Sequence, residues 1–151
     1  MEFIRSSLLQ ILFLMLVVSF IIFYPMMVSI YVFMPLLIGF FGYMLLTGIY
    51  QNKFFYILVS FVYLLNLELN LSLPIFMSII SILVVYLLFV YFKIFLLKCN
   101  ICKSVIGIVL VDLVYFGFIL LYDFIFQTTS IVIDELLLYS FVVDLIMVIV
   151  L

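Results

Sequence analysis

Apolar runs of roughly membrane-spanning length follow one another along almost the whole chain, broken by single prolines and short polar clusters. Runs without two-residue alternation argue for helices over a barrel. A helix needs about 20 apolar residues to cross the hydrocarbon of a bilayer. Six segments of that size are predicted, over 8–24, 28–49, 54–71, 74–97, 104–126 and 131–151. Pro25 closes the first, and the "YPMMVS" that follows has no Ala-x-Ala-like cleavage site, so this run reads as a retained helix despite Arg5 before it. Pro35 either kinks the second helix or marks its true start. In the latter case that helix is short and 26–34 is irregular or interfacial. The connections are very short, so 1–151 reads as one transmembrane domain with no evident internal repeat.

Composition strengthens this pattern. The 151 residues are 73% hydrophobic and 8% charged, with a mean hydropathy of +1.73. A soluble domain of this size has too little interior to hide so much apolar surface. The expected class is therefore an all-α, polytopic integral membrane protein whose solvent is membrane lipid. The absence of His rules out histidine relays, histidine metal sites and His-dependent nucleophilic catalysis. With no Trp or Ala, Tyr and Phe supply the interfacial belts, and Gly and Ser supply close helix contacts. A net charge of −2 gives no reason to expect a nucleic-acid partner.

Threading six spans from a cytoplasmic N-terminus puts Arg5, Lys53, Lys93, Lys98 and Lys103 at cytoplasmic ends, and these are all 5 Lys and Arg of the chain. The positive-inside rule thus predicts cytoplasmic N- and C-termini. Glu2, Asp123, Asp134 and Glu135 fall at predicted helix ends, where an acid is tolerated. Asp112 and Asp144 do not. Asp112 lies roughly 13 Å beyond Lys103, and Asp144 roughly 10 Å before the end of the last segment, both in the cytoplasmic half. Acids at such depth cost about 2.5 to 3.5 kcal/mol on insertion scales and face the bundle interior. One expectation is a polar cluster of Lys93 with Asp112, Asp144 or both; the other is a pair of protonated acids that only bond neighbouring Ser or Tyr.

"KCNICK" sets Cys99 and Cys102 at CxxC spacing between two lysines. Neighbouring cations lower a thiol pKa, but two thiols without His do not make a zinc site, and the lysines put the loop on the reducing side. Incidental loop cysteines are expected. "GFFG" (Gly39, Gly42) and "SIIS" (Ser78, Ser81) set small residues three apart, a spacing that suits close helix contact.

The most unusual stretch is "YLLNLELNLSLP", with Asn66, Glu68, Asn70 and Ser72 at two-residue spacing before Pro74. On a helix, Asn66 and Asn70 share a face and Glu68 points elsewhere. The spacing suits a third helix that loosens into a tight turn, extended before the proline. With Lys53 after the second segment and Glu68 and Pro74 in "ELNLSLPIF", the chain resembles the MreD family of rod shape-determining membrane proteins. Here Glu stands for the family's more usual Asp, no Gly lies between Glu68 and Pro74, and Ile75 and Phe76 follow the proline. The resemblance implies a non-enzymatic inner-membrane scaffold in peptidoglycan elongation and cell shape. It also implies binding to an MreC-like protein and to other elongation-machinery membrane proteins, with Glu68 and Pro74 at the family's motif positions. Asn66, Glu68, Asn70, Pro74, Lys93, Asp112 and Asp144 are the candidate partner or polar-cluster residues. No cofactor, metal, catalytic residue or small-molecule substrate is expected. The alternative is a small substrate-binding or ion-coupled transporter component, with Lys93, Asp112 and Asp144 lining its site.

Overall fold

The computed structural model describes residues 2–31, 34–92, 99–127 and 136–150, and these residues are all-helical, without strands. In order they form α1 (Glu2–Ile30), α2 (Ile38–Gln51), α3 (Phe54–Asn70), α4 (Met77–Tyr91), α5 (Asn100–Phe126) and α6 (Leu136–Val150). Two stretches, Leu9–Ile30 and Ile101–Phe126, are long and apolar enough to cross a membrane. The 29-residue α1 and 27-residue α5 are each about 40 Å long, whereas the 14-residue α2 and 15-residue α4 reach only about 21 to 23 Å.

The differences from the expected boundaries concentrate at the prolines. Pro25 does not close the first helix: α1 runs through it to Ile30, so the expected span 8–24 becomes the first part of a longer helix. Pro35 does precede a true start. Residues 34–37 are non-helical, α2 begins at Ile38, and 28–30 belong to α1 rather than to the second helix. Pro74 likewise stands before its helix, not in it: residues 71–76 turn, and α4 begins at Met77. At its other end α4 stops at Tyr91, short of the expected 97, and α5 starts at Asn100 rather than 104. Residues 131–135 of the expected sixth segment lie outside the described residues.

The short α2 occupies the middle of the bundle, packed on α3, α4, α5 and α6, while α1 lies against α3 and α5 joins α4 to α6. Leu46, Tyr63, Leu64, Val85, Phe89, Val111 and Tyr115 are fully enclosed in the core. The glycines of "GFFG" let α2 approach α5. A Cβ added to Gly42 would sit 2.5 Å from Val111 Cγ1, closer than any ordinary contact. The α2–α3 connection is two residues long: Asn52 takes a left-handed φ of 55°, and Lys53 N–H returns to the Gly48 carbonyl at 2.9 Å.

Candidate functional site

A proline inside a helix leaves the carbonyl four residues earlier without its donor. For Pro25 that carbonyl is Ile21, and the Asn66 side chain on α3 donates to it at 2.9 Å, with a longer bond of 3.4 Å to Ile22 O. Asn70, one turn on, donates to both the Asn66 Oδ1 (2.8 Å) and the Asn66 carbonyl (2.7 Å), which fixes the orientation of the Asn66 amide. These two residues therefore repair α1 from outside it, which is why the helix survives its proline.

Glu68, between them, turns to the other side and is 1% exposed. Its carboxylate accepts from Phe76 N at 2.8 Å and from Ser78 N at 2.6 Å. These are amides of the first turn of α4, whose own N-cap residue, Phe76, has no side chain able to accept them and sits at φ 70°. A carboxylate there satisfies free donors and meets the positive end of the helix. Chain direction reverses in the same few residues. Leu73 N–H bonds Glu68 O at 3.0 Å and Ser72 N–H bonds Leu69 O at 3.4 Å, a Schellman closure with Ser72 left-handed at φ 53°.

The start of α2 repeats this plan. Pro35 is followed two residues later by a left-handed apolar N-cap, Leu37 at φ 53°, as Pro74 is by Phe76. Four residues after each proline comes an amide held by an acid from another helix: Ser78 by Glu68, and Gly39 by Asp144 of α6, at 2.9 Å across 105 residues of sequence. The irregular backbone before α2 is bonded too, since Tyr24 Oη donates to Pro35 O at 2.9 Å and Tyr63 Oη to Leu36 O at 3.0 Å. Tyr63 is held for this by stacking on Phe41, with ring centroids 3.8 Å apart.

Asp112 reaches the same place from α5. A Cβ on Gly39 would lie 2.6 Å and 2.7 Å from its two carboxylate oxygens, so its carboxyl rests against the Gly39 Cα. Asp112 and Asp144 thus meet at one glycine, each about midway along its helix rather than toward one end. Both Asp112 oxygens and Asp144 Oδ1 are buried without a hydrogen-bond partner.

The structure therefore divides the candidates. Asn66, Glu68, Asn70 and Pro74 gather around the α3–α4 turn and its contact with α1; Asp112 and Asp144 gather at the α2 start; Lys93 lies outside the described residues, and with it the expected ion pair. The partner found for Asp144 is a backbone amide. Cys99 and Cys102, expected as incidental loop residues, are joined by a disulfide at the head of α5, where Cys99 Sγ also accepts from Cys102 N–H. Gly39, Tyr24 and Tyr63 were not anticipated as site residues. The available signal was Gly39 four residues after Pro35, matching Ser78 four residues after Pro74. Among the described residues no group of three or more His, Cys, Asp or Glu gathers to hold a metal. Comparison with protein-family models, curated proteins and solved structures finds no match to this chain.

Proposed function

We propose that the chain is a non-enzymatic, six-span integral membrane scaffold, MreD-like, with both termini cytoplasmic, that works by binding helices of partner membrane proteins. The observation that carries this reading is the surface of α1. Leu9, Ile11, Leu12, Phe13, Leu14, Met15 and Leu16 are all more than half exposed, so over this stretch the helix is uncovered on every face and apolar except at Gln10. Apolar surface on that scale requires lipid or a protein partner. Beside it, α1 and α3 enclose an apolar groove lined by Leu14, Val18 and Ile22 on one side and Phe55, Leu58 and Val62 on the other. A transmembrane helix of an MreC-like protein has the shape and chemistry to lie there. The internally bonded turns before α2 and α4 agree with a lipid setting, where irregular backbone is tolerated only when buried in protein.

The test is co-purification from native membrane with the full-length chain, alongside depletion in the cell. Recovery of an MreC-like partner, lost when Leu14 and Val18 are changed to bulkier or polar residues, together with loss of rod shape, is the expected result. Recovery of the chain in the soluble fraction, or normal shape after depletion, refutes it. The second reading, an ion-coupled transporter component, is favoured by one observation only, the pair of unsatisfied carboxyls at the α2 start.

A further inference from the structure

Capping accounts for Glu68, and the repair of α1 accounts for Asn66 and Asn70, but nothing so far accounts for Asp112. Its side chain is 1% exposed, and although the Gly39 amide faces it, neither oxygen has a hydrogen bond of good geometry. Asp144, fully buried, uses Oδ2 on the Gly39 amide and leaves Oδ1 unpartnered. A further orphan lies close by in sequence: the Ser140 hydroxyl, one turn before Asp144 on the same face of α6, is fully buried and also without a partner. Three carboxylate oxygens are thus left open at the start of α2, and one hydroxyl is left open a helical turn away along α6.

Charge decides what is missing. A buried carboxylate without a counter-charge is strongly disfavoured, and two that share a site repel each other. The positive end of α2 carries the equivalent of roughly half an elementary charge; its Gly39 amide bonds Asp144 and also faces the Asp112 carboxyl, so it offsets only part of the charge of two carboxylates. A proton shared by the two carboxyls or a small cation supplies the missing charge, and nothing larger fits where the carboxyl of Asp112 already touches the Gly39 Cα. Calcium draws on about six to eight oxygens and magnesium on an octahedron that keeps several waters. The four open oxygens here suit a smaller demand.

We propose that Asp112 and Asp144, which meet at Gly39 at the start of α2, together with Ser140 one turn before Asp144, form a binding site for a small monovalent alkali cation of the sodium class, with Asp112 the principal ligand. Gly39 is what makes the site possible, since any side chain there would displace the Asp112 carboxyl. Acids buried in the middle of a membrane bundle commonly mark ion or proton sites, and here two carboxylates have to outweigh the positive end of α2 to hold a cation. The proposal goes beyond the scaffold reading and does not rest on it.

The full-length protein, purified in N-methyl-D-glucamine chloride, is titrated with NaCl, LiCl, KCl or CaCl2 at constant ionic strength while thermal unfolding is followed. The expected result is a saturable rise in Tm with Na+ or Li+, with little response to Ca2+ at equal concentration. Half-saturation moves to at least about tenfold higher Na+ in Asp112→Asn and by a smaller factor in Ser140→Ala. A flat wild-type titration means that a proton held between the two carboxyls supplies the missing charge, and it overturns the proposal. So does a sodium response undiminished in Asp112→Asn, or a response to Ca2+ alone. If Asp112→Asn fails to fold, radioactive sodium binding to wild type and to Ser140→Ala decides: binding weakened by loss of the hydroxyl supports the site, and absent or unaltered binding overturns it.

Discussion

Glu68 offers the sharpest separation between a structural role and a recognition role. Its two oxygens each hold one amide of the α4 start, at 2.8 Å for the part-buried Phe76 N and 2.6 Å for the buried Ser78 N. Hydrogen bonds to a charged group contribute about 1.5 to 3 kcal/mol each, and an N–H left buried without an acceptor costs about 1 to 3 kcal/mol. Glu68→Gln keeps one acceptor and turns an NH2 toward the other amide. One bond is lost, the second becomes neutral, and destabilisation of about 2 to 4 kcal/mol follows. Asp at this position keeps the charge but is one methylene short, so it reaches one amide and loses a similar amount. Glu68→Ala loses both acceptors and adds a cavity, for about 4 to 5 kcal/mol. The assay is reversible unfolding of the purified chain in mixed micelles, with hydrogen exchange at Phe76 and Ser78 as the local readout. Stability within about 0.5 kcal/mol of wild type for Glu68→Gln, with partner capture lost, would refute the capping argument and leave Glu68 as a contact residue.

Two further predictions test the neighbouring repairs. Asn66→Ala should cost about 1 to 3 kcal/mol because it orphans the Ile21 carbonyl, whereas in a Pro25→Ala background the restored backbone N–H supplies the helical donor and the cost should nearly vanish. Additivity of the two changes within about 0.4 kcal/mol in a double-mutant cycle would show that Asn66 does not serve Pro25. Ser72→Gly, at an exposed left-handed position, should raise stability by about 0.5 to 1 kcal/mol in the same assay, and a loss of that size would contradict the strain assigned to Ser72.

The three prolines show where the sequence was legible and where it was not. Pro25, Pro35 and Pro74 all interrupt apolar runs with similar flanks, yet one is absorbed and two mark helix starts. What decides is a donor or acceptor on another helix: Asn66 rescues α1 from a position about 40 residues away, and nothing near Pro25 announces it. Glu68 and Ser78 are only ten residues apart, so the α3–α4 turn is largely legible from "ELNLSLPIFMS" by ordinary capping logic. The bond between Asp144 and Gly39 spans 105 residues, and only the depth of Asp144 in an apolar run hinted that it needed a partner. The Lys93 expectation followed from pairing the interior acids with the nearest cation, and Lys93 lies outside the described residues; the donors that the backbone offers at a helix start were a further partner for such an acid. The small-residue pattern at Gly39 and Gly42 was read as a packing face, and it is one, but at Gly39 the close approach belongs to a carboxyl.

The likeness between the two helix starts bears on which polar residues are free to do anything else. "PLLIG" and "PIFMS" place proline, left-handed apolar residue and acceptor-seeking amide at the same intervals, and each recruits an acid from outside its own helix. At α4 both oxygens of Glu68 are used in joining α3 to α4, and only the Ser78 hydroxyl is left open. At α2 two acids arrive at the same amide, and three of their four oxygens have no hydrogen bond of good geometry. Substitutions at Glu68, Asn66 or Asn70 should therefore reach function only through stability. Asp112 makes no hydrogen bond of good geometry, so a change in function on its substitution at unchanged fold points to a cation or proton held between it and Asp144.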